Sequence, residues 1–203
     1  MSNKISRRNF LILMGAGAAA FALTSCSGTG NSGTGTGNLP QLSGRSLVIY
    51  FSGTGNTRRV AQAGAEALGA DIYEIAPVQP YTSADLNYYD SSSRVITEHN
   101  DPTLRPEIAG ALPDLTEYDN IFIGYPLWWR EAPNIVWNLV EQLDFMDKTV
   151  IPFCTSTSDG IRQSENTLKT LAKGSNINWV DGHRFSSGTS ADAVTNWIKS
   201  ANL

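Results

Sequence analysis

Residues 50–57 read YFSGTGNT, in which glycines alternate with hydroxyl and amide side chains. The apolar run SLVIYF leads into this loop and the helix-forming stretch TRRVAQAGAEALGA follows it, so the pattern predicts a strand, a tight loop and a helix. The glycines allow the backbone to turn its N–H groups inward, and a helix N-terminus favours an anion. The loop is therefore predicted to bind a phosphate group. The predicted phosphate-binding residues are Ser52, Gly53, Thr54, Gly55, Asn56 and Thr57.

Two common nucleotide-binding loops do not match this segment. A Walker loop requires Gly-Lys-Ser/Thr at its end, whereas Asn56 and Thr57 follow Gly55 here. A dinucleotide fingerprint requires a third glycine where this chain has Arg58. The loop thus suits a terminal phosphate monoester, which Arg58 or Arg59 could assist, and a plain strand-to-helix turn is the alternative. The same letters SGTGN at residues 27–31 have no strand before them and no helix after them, so no site is predicted there.

Two further loops carry side chains suited to a flat ligand. Residues 124–133 read GYPLWWREAP, and adjacent tryptophans in a loop cannot both be core residues, so at least one is predicted to stack on a ligand. A structural role for both is the alternative. Residues 154–160 read CTSTSDG and offer N–H groups and hydroxyls to the edge of a heteroaromatic ring. The predicted ligand-binding residues of these loops are Tyr125, Pro126, Leu127, Trp128, Trp129, Arg130, Thr155, Ser156, Thr157, Asp159 and Gly160.

The elements that must position these loops alternate between short apolar runs and amphipathic stretches. Strands are predicted in SLVIYFS, DIYEIAP, NIFIGYP, TVIPFCTS and INWVDG. Helices are predicted over 57–68, 133–143, 161–172 and 191–201, and residues 85–99 of the long connection 77–118 could also be helical. This alternation predicts a three-layer, doubly wound α/β domain around a five-stranded parallel sheet. In such a sheet, loops that leave the carboxyl ends of the strands meet at one site.

A phosphate loop, an aromatic wall and a polar edge together describe a site for a phosphorylated flavin. The sequence resembles the flavodoxin family, in particular its short-chain bacterial members with the segments YFS-x-x-GNT, EI-x-P-x-x-P-Y, GYP-x-WW and PF-x-TS. The matching residues are 50–57, 74–81, 124–129 and 152–156, and the likeness extends over residues 45–203. The resemblance implies strand order 2-1-3-4-5, non-covalently bound FMN and electron transfer.

Arg130 departs from the pattern, since it stands where many relatives of this family carry glycine. A guanidinium that reached the ring edge would stabilise the anionic reduced flavin and raise its reduction potential. The alternative is a solvated loop arginine.

The N-terminal segment resembles an export signal. Basic residues precede an apolar stretch, SRRNFL at residues 6–11 resembles the twin-arginine signature, and LTSC at residues 23–26 resembles a bacterial lipobox. We therefore predict a signal peptide over 1–25, lipidation at Cys26, a Gly/Ser/Thr-rich tether over 26–44 and an FMN-binding domain over 45–203. The expected location is the outer side of the cytoplasmic membrane, and an ordinary secretory signal is the alternative.

The net charge, the two histidines and Cys154 limit the classes of function that the chain could have. The net charge is −4, and three of the basic residues lie in the predicted signal, so the remainder is more acidic, which argues against nucleic acid as a partner. His99 and His183 lack the spacing of metal ligands, and Cys154, in an apolar run, is expected to be inert. The leading hypothesis is a membrane-tethered FMN electron carrier that meets a redox protein or a small quinone. An FMN-dependent NAD(P)H or quinone reductase and a flavin-free binding module are the alternatives.

Overall fold

The computed structural model of the protein describes residues 42–200. The predictions of a signal peptide over 1–25, of lipidation at Cys26 and of most of the tether therefore lie outside the described residues. No helix within residues 42–200 has the length and apolar character needed to cross a membrane.

Within the described part of the chain, six strand segments form one sheet in which neighbouring strands pair in parallel. They are β1 (Ser46–Tyr50), β2 (Asp71–Glu74), β3 (Asn120–Pro126), β4 (Thr149–Thr155), β5 (Asn178–Trp179) and β6 (His183–Phe185). The order is β2-β1-β3-β4-β5, and β6 also pairs with β4. The predicted α/β class and the strand order 2-1-3-4-5 are therefore confirmed.

Helices cover both faces of the sheet. They are α1 (Asn56–Leu68), α2 (Arg94–Asn100), α3 (Asn134–Gln142), α4 (Arg162–Leu171) and α5 (Ala191–Ser200). Successive strand residues face opposite layers: Ile49 packs in the core cluster that contains residues of α3 and α4, and Val48 packs in the cluster that contains residues of α1 and α5. The central strands are buried on both faces, which explains their continuous apolar runs.

The helix suggested for residues 85–99 is much shorter in the structure, where α2 begins at Arg94. Turns replace its first half. The Asn87 side-chain oxygen accepts a hydrogen bond from the backbone N–H of Tyr89 at 3.0 Å, and the Asp90 carboxylate accepts one from the N–H of Ser92 at 2.9 Å. Such local bonds compete with helical ones and favour turns. Residues 81–93 therefore form an irregular segment that reaches the carboxyl edge of the sheet.

The strand predicted in INWVDG is shorter in the structure, and a further strand, β6, follows it. The break falls at Gly182, whose N–H donates to the carboxylate of the buried Glu165 on α4. A Cβ at Gly182 would lie 2.7 Å from the carbonyl oxygen of Pro152, so only glycine fits this passage. The chain then rejoins β4 as β6, in register from Phe153↔His183 to Thr155↔Phe185. The division carries residues 186–190 to the same edge as the predicted site.

Candidate functional site

The three loops predicted to bind a ligand converge at the carboxyl edge of the sheet. They line one cleft of about 390 Å³, together with residues from two segments that the sequence had not implicated. Ten of the predicted residues line it: Gly53, Thr54, Asn56, Pro126, Leu127, Trp128, Thr155, Ser156, Thr157 and Asp159. Three unpredicted residues line it as well: Leu86, Tyr88 and Ser187.

The loop between β1 and α1 has the geometry of an anion-binding turn. Gly55 has φ +88°, in the left-handed region, and its N–H donates to the Ser52 hydroxyl at 3.0 Å. No side chain caps the N-terminus of α1, and its first turn holds no acidic residue. The first N–H groups of the helix are therefore available to an anion, which the helix dipole also favours.

Gly53 lines the cleft next to the wall that is formed by Leu86 and Trp128. A Cβ at this position would lie 3.3 Å from Cδ2 of Leu86 and 3.5 Å from Cζ2 of Trp128. A side chain here would fill the space between the phosphate loop and the wall. The glycine thus keeps the backbone close to whatever the cleft holds.

Thr57, one of the predicted phosphate-binding residues, is buried in the first turn of α1. It is only 1% exposed, and its hydroxyl lies 2.8 Å from the hydroxyl of Thr155 at the end of β4. Thr57, Ser52 and Gly55 are not part of the cleft lining. The Thr57–Thr155 hydrogen bond joins the first loop to the third, so Thr57 holds the phosphate loop in place.

The structure separates the roles of the two tryptophans. Trp128 lines the cleft, is 7% exposed, and contacts Phe51 and Tyr81 edge-on with ring centroids 5.8 and 5.6 Å apart. Trp129 is 37% exposed and stacks on His99 at 4.3 Å. Trp128 is therefore the tryptophan that lines the cleft, and Trp129 lies outside the lining.

A tight turn produces this separation. Trp129 and Arg130 have φ of 48° and 71°, and the backbones of Trp128 and Glu131 exchange hydrogen bonds at 2.9 and 3.0 Å. Positive φ at both central residues is the signature of a type I′ turn, which glycine and asparagine favour. Arg130 therefore occupies a strained backbone position, where glycine would be relaxed.

Tyr125 lies in the core instead of the cleft. It is fully buried, its hydroxyl pairs with that of Ser164 at 3.0 Å, and burial raises its pKa above the usual value. The alternation of side chains along β3 turns Tyr125 toward a sheet face, whereas Pro126, Leu127 and Trp128 come at the strand end and line the cleft.

The loop after β4 presents a polar edge. The Ser156 hydroxyl accepts the backbone N–H groups of Ser158 at 3.3 Å and Asp159 at 3.1 Å, and so shapes the turn. Nε of Arg130 lies 3.8 Å from a carboxylate oxygen of Asp159. This exposed ion pair connects the second and third loops. Gly160 is not part of the cleft lining.

A buried polar cluster holds the segment that contributes Leu86 and Tyr88. The carboxylate of Glu98, only 5% exposed, accepts hydrogen bonds from Nε of Arg94 at 2.6 Å and from the Tyr81 hydroxyl at 2.7 Å. The Arg94 guanidinium also lies 3.9 Å from the centre of the Tyr81 ring. Tyr88 is 46% exposed, and partial desolvation raises the pKa of its hydroxyl to about 12. Only the adjacent tyrosines at 88–89 in a polar stretch marked this segment in the sequence.

Cys154 is the cysteine that lies in the described part of the chain. Cys154 is buried, and burial raises the pKa of its thiol to about 12, so it is held as the unreactive thiol. Within residues 42–200 no cluster of histidine, cysteine and acidic residues could hold a metal ion.

Comparison with known proteins identifies similar chains. Residues 45–201 match the family model described as Flavodoxin. A candidate flavoprotein from Bacteroides uniformis ATCC 8492 is 45% identical, with a TM-score of 0.72, over 77% of this chain and 98% of its own. Another from Bacteroides eggerthii DSM 20697 is 40% identical, with a TM-score of 0.71, over 79% of this chain and 99% of its own.

A more distant neighbour shares the fold. It is a flavoprotein from Lactobacillus acidophilus NCFM in complex with FMN, 21% identical, with a TM-score of 0.59, over 70% of this chain and 93% of its own. No curated protein matches the chain.

Proposed function

The chain belongs to the flavodoxin family, and on that basis we propose that it binds FMN non-covalently in the cleft and transfers electrons to and from a partner. One observation carries the proposal: loops assigned separately to a phosphate, a ring face and a ring edge line a single cleft of about 390 Å³. Small-molecule sites usually measure about 300–1,000 Å³. The FMN complex of the Lactobacillus acidophilus protein, which shares the fold, supports this choice of cofactor.

The phosphate end of FMN fits the loop between β1 and α1. The uncapped N-terminus of α1 offers backbone N–H groups, and Thr54 and Asn56 line the cleft beside it. The turn at Gly55 aims these groups inward, and the absence of an acid in the first turn of α1 avoids repulsion of a dianion. The phosphate would therefore be held largely by backbone donors.

The ring of FMN fits the remaining walls. Trp128 lines the cleft with an apolar ring, and Leu86 and Tyr88 line a wall that adjoins the phosphate loop at Gly53. Residues 155–157 offer hydroxyl groups to the polar edge of the ring. The Arg130–Asp159 pair adds two opposite charges that largely offset one another there.

The protein and bound FMN would have different roles in electron transfer. Bound FMN supplies the redox chemistry itself. The chain binds the phosphate, orients the ring against Trp128, and keeps water from the face that Trp128 covers. The buried Glu98 cluster and the Thr57–Thr155 bond hold these walls in position without contacting the cleft as charged groups.

Titration of the purified protein with FMN tests the proposal. We expect one FMN per chain, with quenching of both tryptophan and flavin emission. Stepwise reduction should then resolve two one-electron steps. Steady oxidation of NAD(P)H with a quinone acceptor would favour the reductase instead, and failure to bind FMN would favour a flavin-free module.

We further propose that the protein is exported by the twin-arginine route and anchored at the outer side of the cytoplasmic membrane through a lipid on Cys26. The motifs SRRNFL and LTSC support this proposal. Because that route carries folded proteins and FMN is made in the cytoplasm, FMN should be loaded before export, when it also stabilises the fold.

Two variants test the export proposal. Replacement of both Arg7 and Arg8 by lysine should leave FMN-loaded precursor in the cytoplasm. Cys26→Ala should block lipid attachment without abolishing FMN binding. A retained precursor that is folded yet free of FMN in flavin-replete cells would contradict loading before export.

A further inference from the structure

Arg58 and Arg59 are adjacent on the first turns of α1, yet their side chains bind different parts of the molecule. Arg58 forms an ion pair with Glu74 on β2, a carboxylate that also accepts the Tyr50 hydroxyl at 2.8 Å. Nη2 of Arg59 donates to Oδ1 of Asn56 at 2.7 Å and to the carbonyl oxygen of Ser187 at 2.6 Å. Arg58 is thus engaged at β2, and Arg59 connects α1 to the loop after β6.

Both acceptors of Arg59 belong to cleft-lining residues. Asn56 begins α1 on one side of the cleft, and Ser187 comes from the connection between β6 and α5. That connection is itself a formed turn, because the backbone N–H of Thr189 donates to the carbonyl oxygen of Ser186 at 3.2 Å. Arg59 therefore ties two walls of the cleft together at the end where the phosphate loop lies.

We propose that Arg59 is a positioning residue that closes the phosphate end of the cleft and makes the site select FMN over FAD. This inference rests on the proposed function. FMN ends at its phosphate, whereas in FAD that phosphate continues into a second phosphate and an adenosine. A cleft whose walls are joined beside the phosphate loop accepts FMN, but it obstructs the second phosphate and the adenosine of FAD. The selectivity comes from the connection between the walls, and the positive charge of Arg59 is not its source.

The neighbouring arginine provides a matched control for charge. Arg59→Met removes the hydrogen bonds and one positive charge but keeps an unbranched side chain that helices accept. Arg58→Met removes the same charge one residue away without touching the bonds between the walls. Circular dichroism melting of both variants checks that the fold is retained. Calorimetric titrations with FMN, FAD and riboflavin then measure the dissociation constants for the full chain and both variants.

We expect the ratio of the FAD to the FMN dissociation constant to fall about tenfold in Arg59→Met, the size expected when hydrogen bonds from a charged donor are lost. The ratio should stay within about twofold of the unmodified value in Arg58→Met, and riboflavin affinity should change little in either variant. Equal ratios in the two variants, with FMN still bound by the unmodified protein, would overturn the inference and leave the proposed function intact. Failure of the unmodified protein to bind FMN would overturn both.

Discussion

Replacement of Thr57 by valine tests how the phosphate loop is joined to β4. Both hydroxyls of the Thr57–Thr155 pair are buried, with residue exposures of 1% and 6%, and they lie 2.8 Å apart. Valine has nearly the shape of threonine but no hydroxyl, so the variant leaves the Thr155 hydroxyl without its partner. An orphaned buried polar group costs about 1–3 kcal/mol. Because Thr155 also borders the cleft and can reach water there, we expect a loss of about 1–2 kcal/mol in the free energy of unfolding.

Urea unfolding of the FMN-free protein measures this loss without a contribution from binding. Thr57→Ser keeps the hydroxyl and serves as the control for lost packing. The double variant Thr57→Val/Thr155→Val removes both hydroxyls, so it should cost about 1 kcal/mol less than the sum of the single variants. If Thr57→Val left the stability of the FMN-free protein unchanged and weakened only FMN binding, the hydroxyl would serve the ligand and our reading of the Thr57–Thr155 bond would be wrong.

Three further predictions concern the second loop and the buried thiol. Trp128→Ala should restore much of the flavin fluorescence and weaken FMN binding, whereas Trp129→Ala should leave most of the quenching in place; the reverse result would make Trp129 the stacking partner. Arg130→Gly should raise the free energy of unfolding by about 0.5–1 kcal/mol, because glycine adopts the left-handed backbone at that position without strain; a lower melting temperature would contradict this. Burial raises the pKa of the Cys154 thiol to about 12, so Cys154 should resist iodoacetamide at pH 8 in the folded protein and react with it in urea. Peptide mass spectrometry would detect the labelled cysteine, and rapid labelling of the folded protein would refute its burial.

Local pattern alone was sufficient for most of the secondary structure and for the location of the site. The helix predicted over 57–68 is observed as Asn56–Leu68, and the strand predicted in NIFIGYP is observed as Asn120–Pro126. These elements are determined by apolar periodicity and by glycine-containing loops at their ends, which are properties of neighbouring residues. The parallel order then brings the strand-end loops together.

Two elements were predicted less well, for identifiable reasons. Residues 85–99 were suggested as helical, but the side chains of Asn87 and Asp90 bond to nearby backbone N–H groups and favour turns over residues 87–93. INWVDG was predicted as one strand, but only Asn178–Trp179 is a strand, and after Gly182 passes close beside Pro152 and Glu165 the chain forms the unpredicted strand His183–Phe185. The first effect is local, whereas the second depends on a helix and a strand that are distant in sequence.

The sequence by itself determined that Trp128, Trp129 and the phosphate loop lie at one edge of a parallel sheet, because periodicity and loop composition are local. Only the tertiary structure decided which side chains face the cleft. Trp128 faces it because a left-handed turn directs Trp129 elsewhere, and Tyr125 is withdrawn into the core by the alternation along β3. The cleft residues that the sequence did not predict are Leu86, Tyr88 and Ser187. They reach the cleft through contacts between segments far apart in the chain, and no local pattern encodes such contacts.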